Sequence, residues 1–541
     1  MTTTQTDFSY SWFKRGDISA FFALMPDNMA TLAIMVALML GFGIPSDVVF
    51  GLMVPGTAMG VLVGDLLYTG LAIRLAKRTR NNNVCAIPLG LDTPSCIGIV
   101  VCVLGPAFLS AKAEGLDPHA AGMHAWTIGI STMLLIGLIK TAFSFCGTWI
   151  QRHVPSAALL GSLGGIGIAL LAFMQLVNLF TEPIAGMISL SILFFTLTAR
   201  MRLPFNIPGV LAAVIVGTLL YHLMGFSGWN PGVYNSPPTH FYFHLPRPTL
   251  AGLFHIVDGL HYITVSLPFA LLTVIGGINV TASAHAEGQP YNTRSVLLIE
   301  AVSTMVAGFF GGVAQTTPYA GFPAYRRLHA AAGYTFLTGL FVGLGGILGY
   351  VTFIVELIPA SVLAPILIFL GLLVTAQPFL CCPKAHSAAI GLAMLPSLSR
   401  LLSIYLGNPD YLSSDKLAHL MNATQTTGFP TVLTLFVLGN GFILTGMLWG
   451  AFLTEMINRR FGHSSLYLLL CALFSFFGII HSPFPNGDMF LPWHLTGMPL
   501  QLTVHFTLAY FLTALILFGL SKISRPEPGS ESDDFFPSSS S

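Results

Sequence analysis

Apolar runs of near 20 residues succeed one another along almost the whole chain, separated only by short polar stretches. A run of that length crosses about 30 Å of hydrocarbon as a helix. The pattern predicts sixteen segments, at approximately 18–43, 49–73, 86–110, 122–146, 155–180, 183–199, 207–224, 257–283, 294–313, 315–328, 333–356, 359–379, 384–405, 429–454, 464–480 and 499–521. The tenth is too short to cross as a full helix. None of the segments has the polar face that a soluble helix would present.

Two of these runs are interrupted in the same manner. Asp92-Thr93-Pro94-Ser95 breaks the third, and Thr316-Thr317-Pro318-Tyr319 lies in the tenth. A Thr hydroxyl serves as an N-cap, and Pro is tolerated at the first helical position because its missing N–H is not needed there. Both motifs therefore read as half-helices restarting inside the membrane. Paired breaks in corresponding halves are the best sequence pointer to a transporter's binding site.

Other correspondences run in the same order. Pro26 and Thr31 of the first segment match Pro268 and Thr273 of the eighth, and Asp65 of the second matches Glu300 of the ninth. Seven segments per copy is an odd number, so the second copy enters the membrane from the opposite side. The reading is an all-α polytopic membrane protein with a 7+7 inverted-repeat transporter fold and about two extra C-terminal helices. Its parts are a cytoplasmic N-terminus (1–16), a first repeat (17–224), an external loop (225–256), a second repeat (257–455), an extra transmembrane hairpin (456–521) and a disordered cytoplasmic tail (522–541).

Composition agrees. The 541 residues are 54% hydrophobic and only 8% charged, against roughly 25% charged in soluble domains. A net charge of +1 gives no reason to expect a nucleic-acid partner. Lys and Arg recur in alternate short loops (Arg74/Lys77/Arg78/Arg80, Arg200/Arg202, Arg326/Arg327, Arg459/Arg460), which places those loops and both termini in the cytoplasm of an inner or plasma membrane. The first 16 residues lack an apolar stretch ending in a cleavage site, so no removable signal peptide is expected. The seven cysteines show no C-x-x-C, and His240, His244 and His255 lack ligand spacing, so no disulfide, metal or cofactor is predicted.

The chemistry is expected at the breaks. First-turn N–H groups without a carbonyl partner are costly in hydrocarbon unless satisfied, and the helix dipole adds partial positive charge there. Asp92, Thr93, Ser95, Gln315, Thr316, Thr317, Tyr319 and Asp27 are the expected substrate-binding residues. Ionisable groups inside membranes are rare and usually functional, which makes Asp27, Asp65, Asp92 and Glu300 the expected proton-coupling set. Asp65 could instead form a static ion pair with Lys140 of the fourth segment. Gly161/Gly165 and Gly345/Gly349 have helix-packing spacing. G-x-x-x-x-G-K-[ST], H-E-x-x-H and G-x-S-x-G do not occur, which disfavours direct ATP drive and hydrolase chemistry.

Three stretches carry a resemblance: Arg15-Gly16-Asp17, Ala86 to Ser95 (AIPLGLDTPS) and Gly308 to Thr317 (GFFGGVAQTT). Through them the chain resembles the nucleobase–cation symporter-2 (xanthine/uracil/ascorbate permease) superfamily, including its AzgA-like branch, over about residues 15–455. The resemblance implies core and gate domains, as in uracil permease, with an elevator-like cycle. It also implies short strands leading into half-helices in spans three and ten. Members hold the base ring with acidic residues whose places fall here near Thr273 and Ala320, which adds Thr273 to the substrate-binding set.

The expectation is a permease, not an enzyme, moving a small polar solute of purine- or pyrimidine-like kind with H+ or Na+. Its partners are the solute, the coupling ion and the lipid bilayer, and the pattern is compatible with a homodimer. The alternative is an inorganic or organic anion transporter of the sulfate-permease type on the same fold. A membrane-embedded sensor or enzyme is the remote alternative.

Overall fold

The structure is a computed structural model that describes residues 9–145, 155–204, 209–229, 234, 243–319, 322–350, 353, 357–408, 411–422, 428–485 and 487–523. Residues 1–8 of the expected N-terminus, much of the expected external loop, His240, Ala320 and the expected tail beyond Ile523 lie outside the described residues.

Helices follow the apolar segments in order. The first half contains α1 (Arg15–Gly41), α2 (Ser46–Thr79), α3 (Thr93–Ala113), α4 (Pro118–Phe143), α5 (Ser156–Thr181), α6 (Pro183–Thr198) and α7 (Gly209–Phe226). The second half contains α8 (Ile263–Ala286), α9 (Thr293–Phe309), α10 (Phe322–Arg327), α11 (Gly333–Leu348), α12 (Ala360–Cys381), α13 (Ser387–Leu406), α14 (Thr431–Gly439) and α15 (Phe442–Ile457). Two more, α16 (Phe461–Phe476) and α17 (Gly497–Ile523), close the chain. Among the described residues ten helices are long and apolar enough to cross a membrane, and α14 with α15 makes an eleventh, bent span. The chain is an all-α polytopic membrane protein with the 7+7 inverted-repeat transporter fold.

Packing divides the helices into two bundles. In the core bundle α2 packs on α9 and α11, α4 on α3, α8 and α9, and α1 on α11. In the gate bundle α13 packs on α5, α14 and α15, α12 on α5 and α6, and α6 on α7, with α16 added against α15 and α17 against α16. Small residues set these distances. A Cβ added at Gly165 would lie 2.9 Å from the Met394 Cα of α13, so α5 and α13 approach at backbone range. On α11 it is Gly339, Gly343 and Gly346 that meet α2, at Asp65, Leu62 and Ala58. Gly349 serves differently, ending α11 as a left-handed C-cap at φ 79°.

Two expectations about helix boundaries are corrected. The third span is extended through Asp92 and becomes helical at Thr93, where the break was expected to restart it. In the tenth, Thr317-Pro318 caps no helix: Thr316–Pro318 form a strand and α10 begins at Phe322. Strand pairing prevails because Pro318 sits at the end of a three-residue ladder, where a missing N–H costs little. The fourteenth span bends by 81° between Gly439 and Phe442. There Gly441 takes φ 69°, and the Asn440 amide donates to the carbonyls of Ser482 (2.9 Å) and Phe484 (2.7 Å). The Asn440 side chain thus pins the bend to the 482–484 segment, while carbonyls freed by the break are met by His481, its ring at Val437 (3.3 Å) and its backbone N–H at Asn440 (3.1 Å).

Candidate functional site

The strands β1 (Leu89–Leu91) and β2 (Thr316–Pro318) pair antiparallel in the middle of the core bundle, with Leu89 opposite Pro318, Gly90 opposite Thr317 and Leu91 opposite Thr316. Each strand comes from one half of the chain, so the two breaks meet by backbone pairing. Flanking bonds extend the crossing: Tyr319 N–H donates to the Pro88 carbonyl (2.8 Å) and Asp92 N–H to that of Gln315 (3.3 Å). Asn28 of α1 satisfies the outer edge, its Oδ1 accepting from Leu91 N–H at 2.9 Å. A two-strand ribbon at membrane depth is tolerated because protein covers both edges. The link into β2 is held equally closely, since a Cβ on Gly56 of α2 would lie 2.1 Å from the Gly312 nitrogen.

At the start of α3 the cap is Asp92, not Thr93. Its Oδ2 accepts from Ser95 N–H (3.1 Å), while the Ser95 hydroxyl donates back to the Asp92 carbonyl (3.1 Å). Thr93 is then free to pair its hydroxyl with that of Thr31 at 2.7 Å. Few amides remain open in this first turn. Pro94 has none, Ser95 is capped, and Cys96 N–H bonds the Asp92 carbonyl, which leaves Thr93 N–H without an acceptor among the described residues.

Beneath the crossing lies a buried ion pair. Lys140, in the last turn of α4, places Nζ 2.9 Å from Glu300 Oε1 of α9, and neither side chain is exposed. The same ammonium donates to the Thr316 carbonyl (3.0 Å) and the Thr304 hydroxyl (3.3 Å). The expected Asp65–Lys140 pair is thereby corrected, because α4 runs along α9 and meets α2 only at the far end, where Gly122 lies against Val48. Asp65 is fully buried against Gly339, with the Leu89 backbone N–H facing its carboxyl, and forms no ion pair among the described residues.

The remaining expected residues divide by accessibility. Gln315, Thr316, Ser95 and Thr273 are fully or almost fully buried. Thr316 donates to the Ser303 hydroxyl (2.7 Å), and Thr273 bonds the Phe269 carbonyl (3.1 Å) beside the Glu300 carboxyl. Gln315 Nε2 reaches the Phe269 carbonyl at 3.5 Å, and its Oε1 is buried without a partner. Asp92, Thr93 and Thr317 are half-buried, and Tyr319 is 38% exposed. Asp27 is half-buried on a helix that runs unbroken past Pro26, within electrostatic range of the Tyr319 and Tyr325 hydroxyls. The open side of the crossing therefore presents Asp27, Asp92, Thr93, Thr317 and Tyr319.

With this geometry established, known proteins provide a comparison. The transmembrane domain of a cyanobacterium bicarbonate transporter, BicA, is similar to this chain at TM-score 0.52 and 14% identity, over 72% of this chain and 96% of that one. The structure of SLC26A9 is similar at TM-score 0.51 and 13% identity, over 77% of this chain and 68% of that one. No protein-family model matches the sequence, and no curated protein does.

These matches correct the nucleobase resemblance. The fold it implied is the one observed, but the similar structures are a bicarbonate transporter and SLC26A9. Much of each stretch that carried the resemblance builds the scaffold. Asp17 accepts from the backbone N–H groups of Ala331 (2.9 Å) and Tyr334 (3.1 Å), clamping α1 to the start of α11. The second stretch builds β1 and its cap, and the third brings Gly312 against Gly56. Such motifs report the fold and leave the solute unspecified.

Sequence reasoning missed two residues. Asn28, which holds β1 in place, follows Asp27 directly, and a buried amide there was a readable signal. Arg400 is a lone cation in the apolar run of α13, and its signal was that isolation.

Proposed function

We propose that the chain is a secondary transporter of a small inorganic anion, of the sulfate-permease type, with bicarbonate the first solute to test. The observation that carries this reading is the fold likeness spanning 96% of the bicarbonate transporter's transmembrane domain. The site is the open side of the β1–β2 crossing. Thr317 and Tyr319 offer hydroxyl donors, Thr93 N–H offers an open amide, and the Lys140 charge lies behind Thr317, on the Thr316 carbonyl. Oriented donors in a low-dielectric setting suit an anion better than the same groups in water.

Transport follows an elevator-like cycle in which the core bundle carries the crossing past the gate bundle. The first repeat extends over 17–224 and the second over 257–455, with 456–521 an added hairpin on the gate and both termini cytoplasmic. Proton coupling falls to Asp65, whose burial no cation among the described residues offsets. Glu300 is committed to Lys140 and Asp92 to its cap.

Purified protein in liposomes tests the reading. Labelled bicarbonate should accumulate against an imposed gradient of a second anion or of pH. Uptake equal to that of protein-free vesicles under every gradient would overturn it.

A further inference from the structure

Away from the crossing, a cavity of about 450 Å³ opens where α3 and α13 end and α8 begins, a face that the loop charges place outside. Its wall includes Arg400, Tyr262, Ser110, Ser403, Phe436 and Asp488. Arg400 stands on the gate helix α13, and its Nη2 reaches across to the Cys102 carbonyl of core helix α3 at 3.5 Å. Its Nε is buried with no partner, and the guanidinium forms no ion pair among the described residues. Asp488, on the same wall, engages the His261 ring at 3.0 Å.

A guanidinium remains charged at every working pH, and a buried donor left unmade costs about 1–3 kcal/mol. With Nε closed off, the two Nη groups are the fork that receives a planar oxyanion through two parallel bonds.

We propose that Arg400 forms an outer oxyanion-capture site, taking a small planar anion end-on at its Nη groups in this cavity before it reaches the strand crossing. The proposal rests on the anion reading for its role in transport, but the binding site stands on its own geometry. The Arg400–Cys102 bond bridges gate and core, so the site exists in full only while these two helices are in the present register.

The test uses the purified full-length chain and nitrate as a planar oxyanion probe. Calorimetric titration should detect nitrate binding to wild type, and R400Q should weaken it by about tenfold or more, as expected for loss of charge-assisted bonds. R400K, which keeps the charge, should lie between the two. In liposomes R400Q should raise the bicarbonate KM by a similar factor with little change in maximal rate. If R400Q does not fold, S110D on the cavity rim should likewise weaken nitrate by placing a negative charge beside the fork. Wild type that binds no nitrate, or R400Q (S110D in its place) equal to wild type, overturns the site. Wild-type liposomes that carry no bicarbonate overturn the transport reading alone, because the nitrate titration still decides Arg400.

Discussion

Lys140 and Glu300 face each other at 2.9 Å between α4 and α9, shielded from solvent, and the lysine also holds the Thr316 carbonyl of β2. One ammonium thus ties two packed helices to the strand that completes the crossing.

Removing either partner leaves a buried charge uncompensated, at a cost of about 3–5 kcal/mol, whereas replacing both by apolar groups is often close to neutral. K140M and E300L should each lower the melting temperature sharply or abolish the monodisperse peak. The K140M/E300L double variant should recover most of the loss. Strictly additive melting shifts would show that the two side chains do not act as a pair.

At the crossing itself, Asp92→Asn keeps an acceptor for Ser95 N–H but removes the charge beside the open face. Thr317→Ala removes a hydroxyl from the face without touching the strand hydrogen bonds. Both variants should express and elute like wild type; Thr317→Ala should weaken bicarbonate binding, whereas Asp92→Asn, which removes a charge of the solute's own sign, should strengthen it. Unchanged affinity in the two together would move the site elsewhere.

Asp65→Asn replaces the carboxyl by an isosteric amide against Gly339. Stability should be preserved, and flux should lose its dependence on an imposed pH gradient. A gradient response equal to that of wild type would remove Asp65 from proton coupling.

The Asp17 clamp predicts a purely structural effect. Asp17→Ala orphans the buried N–H groups of Ala331 and Tyr334, each worth about 1–3 kcal/mol. The variant should melt well below wild type, with Asp17→Asn intermediate because it retains one acceptor oxygen. Melting of D17A at the wild-type temperature would exclude the clamp.

Much of the architecture was legible because a bilayer imposes one-dimensional rules. Length and apolarity locate each span, and the order of Asp65, Thr93-Pro94, Glu300 and Thr317-Pro318 revealed the repeat. The same rules say nothing about partners across helices. Lys140 was matched to the wrong acid because Asp65 and Glu300 stand at equivalent places in the two halves, and only the packing of α4 on α9 chooses between them. The cap at α3 passed from Thr93 to Asp92 for a similar reason: either side chain satisfies the local rule, and the Thr31 hydroxyl claims the threonine.

Hydrophobic length, the odd number of spans per half and the paired interruptions are properties of the chain in order, and by themselves they determined a helical membrane protein with two inverted repeats. That the interruptions pair as strands, that Lys140 serves Glu300, and that Arg400 meets the Cys102 carbonyl were decided only in three dimensions. Each depends on which buried donor finds which acceptor, and in a medium without water that choice is made by the whole packed bundle.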